Sequence, residues 1–254
     1  MINMAVVREQ FLERFLRELF LRSEGFVLKG GGAMRALFDN HRLTKDVDLD
    51  FTHPTRTADS LHNMIERSIT VAARGRNITQ TEISRPGKKE RTPRWKINLT
   101  DSAGQRHHVE IEVSRDAARA APGTPRQVRY QPHALTGVAP FWVDVYDMPA
   151  LIASKLAALL GREVPRDVYD LDTLRKSEEQ PDAKQVKWAI KRANLHKTDP
   201  VTVLRAHLHA MDWHRFRAEL LDSLPPGEAE RMNSEEWEAM KQRVGVYAEA
   251  LLAL

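Results

Sequence analysis

Asp46 and Asp48 stand two apart in KDVDLDF, where acids alternate with apolar residues. A period of two is that of a β-strand, so both carboxylates point to one face. Two hard oxygen donors on one face suit Mg2+, which binds through one or two carboxylates and completes its shell with substrate phosphates and water. Upstream, Gly30, Gly31 and Gly32 lie between the apolar FVL and a helix-forming stretch. Glycines there let backbone N–H groups approach a phosphate with no Cβ in the way, and the helix that follows presents its N-terminus to the anion. Strand, glycine run, helix and acid-bearing strand within residues 28–50 read as a nucleotide-handling unit, and the chemistry it suits is nucleotidyl transfer. Alone, the glycines would be a tight turn and Asp-x-Asp a solvated strand end; the reading rests on their joint spacing. No Gly-Lys-Ser or Gly-Lys-Thr follows the glycines, which excludes a Walker-type phosphate loop, and Gly-x-Gly-x-x-Gly spacing is missing too.

Glu110 and Glu112 in VEIEVS also share a strand face. If that strand lies beside the Asp46/Asp48 strand, one of them becomes a third carboxylate, able to hold a second Mg2+ or take the proton of an attacking hydroxyl. Glu112 is the better candidate because it stands nearer the glycine end; the plain alternative is an acidic face turned to solvent. Lys155 interrupts an apolar helix, so its ammonium must reach water or meet an anion. Arg166, Asp167 and Asp170 fall in one turn, with the two acids on a shared face. With Arg162 they make either a weak surface ion-pair set or, opposite the carboxylates, a group in which Lys155 neutralises a triphosphate oxygen and Asp170 orients a nucleotide or acceptor hydroxyl.

Residues 85–96, RPGKKERTPRWK, set Arg85, Lys88, Lys89, Arg91, Arg94 and Lys96 against Glu90, with Trp95 available to stack on a base; Arg115, Arg119, Arg126 and Arg129 extend the charge. A solvated loop and an RNA contact both fit this run. His207 and His214 are seven apart on an expected helix while His209 points elsewhere, so they read as surface or packing residues.

Holding these side chains requires a sheet with helices on it. Val7, Phe11, Phe15 and Leu19 recur every four residues, the stripe of an amphipathic helix over 5–22. The pattern then predicts a strand over 26–29, a helix over 33–40, a strand over 47–51, a helix over 57–73, and strands over 79–83, 95–99 and 107–113. From 147 onward helical periods take over, with segments near 182–195, 200–222 and 234–254, and Pro225-Pro226-Gly227 before the last. The expectation is an α+β chain: a nucleotidyltransferase domain over 1–140 with a small mixed sheet, then an all-helical domain over 141–254.

A chain of 254 residues can bury a sizeable core. With no cysteine, disulfides, thiolate metal sites and a cysteine nucleophile drop out. The first 20 residues are apolar at helical spacing yet carry six charges, Arg8, Glu9, Glu13, Arg14, Arg17 and Glu18, which argues against a signal peptide or membrane span and for a cytoplasmic protein. A net charge of +4 is compatible with a polyanionic partner.

Four motifs in order resemble those of the AbiEii/AbiGii-type nucleotidyltransferase toxins, the family that includes the mycobacterial MenT group. LKGGGAM is similar to the family's Gly-Gly-Thr-Ala-Leu loop, RLTKDVDLDF to its Arg-x-Ser/Thr-x-Asp-hydrophobic-Asp strand, SKLAALLGR to its Lys-x-x-Ala-x-x-x-Arg helix, and RDVYDL to its Arg-Asp-x-Tyr-Asp-Leu turn. The last two motifs separate the family from other polymerase-β-like transferases. The resemblance implies that Asp46 and Asp48 are metal ligands, Lys155 a nucleotide-binding residue and Asp170 a catalytic acid, with Gly30, Gly31, Gly32, Arg42, Thr44 and Arg166 also at the nucleotide. Gly32 stands where the family has Thr or Ser, which removes a hydroxyl that could bond a phosphate. The implied activity is Mg2+-dependent transfer of a nucleoside monophosphate from an NTP to RNA, such as a tRNA 3′ end, blocking translation and arresting growth, with a helix-turn-helix antitoxin as counterpart. The rivals are a small-molecule transferase of the aminoglycoside type, which the basic stretches disfavour, and a non-catalytic nucleic-acid-binding module, which the intact acids disfavour.

Overall fold

The computed structural model describes residues 4–38, 42–53, 57–75, 77–87, 90–116 and 120–254. Asn40, Lys88, Lys89 and Arg119 lie outside the described residues. The chain forms two compact units, one of Met1–Ala120 with Pro125–Val145 and the other of Ala121–Thr124 with Tyr146–Leu254.

The first unit contains α1 (Met4–Arg22), β1 (Phe26–Leu28), α2 (Gly30–Leu37), β2 (Asp46–Phe51), α3 (Ala58–Ala72), β3 (Ile78–Ser84), β4 (Arg94–Asp101), β5 (Arg106–Ser114), β6 (Pro125–Tyr130) and β7 (Phe141–Tyr146). Among the described residues its seven strands make one sheet in the order β3-β4-β5-β2-β1-β7-β6. The sheet is mixed: β2 runs parallel to β5 and β1 parallel to β7, while β1 with β2, β3 with β4 and β4 with β5 are antiparallel. This is the expected α+β arrangement. The strands β6 and β7 fall where no strand was expected.

Along α1 the stripe of Val7, Phe11, Phe15 and Leu19 is buried, as its spacing predicts. Two acids are buried with it. Arg35 of α2 places its Nε 2.9 Å from Glu9 Oε1 and its Nη2 3.5 Å from Glu13 Oε1. Glu13 also accepts the His133 N–H at 2.7 Å and the Thr136 hydroxyl. Burial pushes both carboxyls up, Glu13 to about 7. This network ties α1 to the helix that begins at the glycines.

The second unit contains α4 (Met148–Gly161), α5 (Pro165–Leu174), α6 (Ala183–Arg192), α7 (Pro200–Ala210), α8 (Trp213–Glu219), α9 (Pro226–Ala229) and α10 (Ser234–Leu252). Asp147, Asp182, Asp199, Asp212 and Asn233 each cap a helix by accepting the N–H three residues on. The cap at Asp212 explains why the helix expected over 200–222 is two helices: its side chain starts α8 just after α7 ends. Trp237 of α10 is buried against Phe216 of α8, ring centroids 4.6 Å apart, and its Nε1 donates to the Met211 carbonyl at 2.9 Å.

Candidate active site

Phe26, Val27 and Leu28 of β1 are all buried, which fixes where the chain enters α2. The glycines are not a loop ahead of that helix; they are its first turn. Gly30 has φ +56°, and a Cβ there would stand 2.3 Å from Asp48 Oδ2. Only glycine tolerates both the left-handed backbone and a carboxylate that close. The first N–H groups of a helix have no intrahelical partner, and Lys29, at the cap position, provides no side-chain bond to them. Helix start and acid are thus pressed together.

Gly31 is hemmed in by the next segment: a Cβ there would meet Thr44 Oγ1 at 3.0 Å and Arg42 Nη2 at 3.4 Å. Arg42 is buried, and the Thr44 hydroxyl donates to the Asp46 carbonyl at 3.0 Å. Gly32 faces the core, where a Cβ would come within 2.8 Å of Leu28 Cδ1. A Thr or Ser at this position has no room unless Leu28 shifts, which gives the departure from the family motif a packing reason.

Strand register assembles the carboxylates. Asp46 of β2 pairs with Glu110 of β5 and Asp48 with Glu112, so all four share one face. Arg94 of β4 lies opposite Glu112, with Nη2 2.6 Å from Glu112 Oε2 and Nη1 3.6 Å from Glu110 Oε1. Lys29 donates its N–H to the Asp48 carbonyl and holds Asp50 with its ammonium, both at 2.8 Å. Burial raises the Glu112 pKa and the Asp48 charge raises it further; Arg94 and Lys29 only partly oppose this. Burial lowers the Arg8 pKa, while the charges of Glu9 and Asp46 hold it up. These oxygens fit a hard divalent cation that takes two carboxylates and completes its shell from a substrate. Among the described residues no cluster of three or more His, Asp or Glu side chains is gathered as a self-sufficient metal site.

One residue expected at RNA is elsewhere. Trp95 is fully buried, its ring edge-on to His62 with centroids 4.9 Å apart, and cannot stack on a base. On β4 the outward positions are Arg94, Lys96 and Asn98 and the inward ones Trp95, Ile97 and Leu99. Arg94 is therefore exposed, but it is engaged by Glu110 and Glu112. Arg91 is exposed, and its carbonyl accepts the Arg115 N–H at 2.9 Å.

In the second unit, Lys155 of α4 meets Asp170 Oδ2 of α5 at 2.5 Å, and both are buried. Arg162 grips the buried Asp167 with two bonds, 2.8 and 3.1 Å. These are not the weak surface pairs that sequence spacing allowed. Arg166 is partly exposed on the same helix.

A family model described as nucleotidyl transferase AbiEii toxin, Type IV TA system, matches residues 11–251. The chain belongs to this family. It is therefore a nucleotidyltransferase toxin of a toxin–antitoxin system, with an NTP as co-substrate and an antitoxin as partner. The toxin's fold resembles that of MenT4, a nucleotidyltransferase toxin of Mycobacterium tuberculosis H37Rv, with a TM-score of 0.60 at 16% identity over 97% of this chain and 84% of that one. It also resembles JHP933 from Helicobacter pylori, with a TM-score of 0.59 at 16% identity over 100% of this chain and 94% of that one. A comparison with curated proteins returns no match. No helix of the toxin, among the described residues, is long and apolar enough to cross a membrane.

Sequence reasoning placed none of Lys29, Arg94 and Arg8 beside the acids, and it assigned Arg94 to RNA. Lys29 had a signal, standing directly before the glycines; Arg94 had one too, on the outward face of a strand next to VEIEVS. Arg8 had none, because α1 reaches Asp46 only through tertiary packing.

Proposed function

We propose that this toxin transfers a nucleoside monophosphate from an NTP to RNA, at a tRNA 3′ end, using Mg2+ held by Asp46 and Asp48, and so blocks translation. The observation that carries the reading is the seating of Asp48 against the N-terminus of α2 at Gly30, which puts an acid ligand and an anion-binding helix start at one point. Bound there, Mg2+ would offset the charge that develops on the triphosphate.

The chain's own groups account for the rest. N–H groups of the first turn of α2 receive phosphate oxygens, and Arg42 and Thr44, packed on Gly31, fix that turn. An acceptor hydroxyl attacks the α-phosphate in line, the bond to the bridging oxygen breaks, and pyrophosphate leaves toward the helix start. Glu112, its pKa raised, takes the proton of the attacking hydroxyl. Arg94 keeps Glu112 oriented. Lys155, Asp170 and Arg166 are assigned to nucleotide handling from the family motifs, and a cognate helix-turn-helix antitoxin is the expected counterpart.

Incubation with each α-labelled NTP and total RNA tests the reading. Label should enter one RNA class with Mg2+ and not with EDTA; label on a small molecule, or on nothing, would overturn it.

A further inference from the structure

Residues 183–197, AKQVKWAIKRANLHK, hold Lys184, Lys187, Lys191, Arg192 and Lys197 and not one Asp or Glu. Helix α6 buries Val186 and Ala189, and its far side carries the charge: Lys184, Lys187, Lys191 and Arg192 are all exposed. At 100° per residue, Lys184, Lys187, Trp188 and Lys191 fall within one arc of about 100°, with Arg192 about 40° beyond Trp188. None of these cations forms an ion pair with another described residue. Arginines of the neighbouring helices are differently placed, with Arg205 on Glu249, Arg215 on Glu219 and Glu163, and Arg243 on Asp172 and Glu236.

Helix stability does not account for this stripe. Lys184 sits in the first turn, where the helix dipole disfavours a cation, and the nearest acid along the chain is the Asp182 cap, which already bonds the Gln185 N–H. Lys184 with Lys187, and Lys187 with Lys191, are like-charge neighbours at i+3 and i+4. Only Lys191 and Arg192 suit the C-terminal end. A face that repels itself is relieved by a polyanion.

We propose that the α6 face is an RNA-backbone-binding surface. Lys184 to Lys191 spans about 10 Å of helix, long enough to meet more than one phosphate of a nucleic-acid strand. The partly exposed Trp188 lies at one end of the arc, between Lys184 and Arg192, where a base can stack. The inference rests on RNA being the acceptor and assigns it a surface distinct from residues 85–96.

The test is RNA binding by the full toxin across a salt series, using a labelled tRNA pool, for wild type, for a Lys184→Gln/Lys187→Gln/Lys191→Gln variant, and for a Lys176→Gln/Arg217→Gln control that neutralises exposed cations elsewhere. The α6 variant should bind at least about tenfold more weakly at low salt, with a log–log salt slope smaller by about two, since each lost phosphate contact removes about 0.7 to 0.9. The control should match wild type, as should NTP binding by the α6 variant. Equal affinity and slope for wild type and the α6 variant would overturn the surface while leaving the RNA acceptor standing. Wild type that binds no RNA, or binds anionic vesicles in its place, would overturn both.

Discussion

On β2 and β5, Asp46, Asp48, Glu110 and Glu112 share a face, and Arg94 and Lys29 leave Glu112 harder to ionise than an ordinary carboxyl. In α4 and α5, Asp167 meets Arg162 and Asp170 meets Lys155, and both acids are closed off from solvent. Both sets look alike in sequence, as acids and bases at short spacing. They differ in what remains for a ligand. The strand acids gain from an added cation, while the helix acids already face Arg162 and Lys155, so chemistry is expected at the first set and a loss of stability when one partner is taken from the second.

That contrast would break first at Asp48. Asp48→Asn should lower transfer on the order of a thousandfold, because several kcal/mol of transition-state stabilisation are lost, and should leave the melting temperature near wild type. Lys155→Met should do the opposite in kind. Taking the Lys155 ammonium from the buried Asp170 should cost about 3 to 5 kcal/mol in denaturant unfolding, and Lys155→Met/Asp170→Leu should recover most of it. If the double variant is stable yet has lost NTP affinity, the pair also serves the nucleotide, as the family motifs imply.

Glu13 tests burial without full compensation inside the first unit. Its pKa is raised from about 4.5 to about 7, so the folded state holds this proton more tightly than the unfolded chain. Its contribution is full below the unfolded pKa and is lost as pH rises through about 7, at a cost of about 3 kcal/mol. Glu13→Gln should flatten stability between those two values, as thermal melts across pH would register; an unchanged slope would remove Glu13 as its source. The smallest effect is expected at Glu112. With its pKa raised, wild-type turnover should climb with pH above the usual carboxylate range, and Glu112→Gln should lose that limb along with about a hundredfold in kcat. A limb that survives in the variant belongs to another group.

Family and fold class were legible because local pattern carries both: glycines before a helix, acids at a period of two, and an apolar stripe at a period near four. The misses have physical causes. Trp95 among six basic residues resembles an exposed ring, yet the alternation RWKINL already placed it inward with Ile97 and Leu99. Arg126 and Arg129, three apart and so on opposite faces, break the apolar alternation of PRQVRY and hid β6, an edge strand. Arg35 with Glu9 and Glu13, and Asp170 with Lys155, are pairs formed across elements, which spacing along the chain does not reveal.

The most direct measurement follows α-labelled and γ-labelled NTP in parallel through wild type and Asp48→Asn, with folded fractions matched. Nucleotidyl transfer predicts α-label on RNA and γ-label in pyrophosphate, in equal amounts, with both lost in Asp48→Asn. Label from the γ-position on RNA, release of free phosphate in place of pyrophosphate, or an unchanged Asp48→Asn would contradict it.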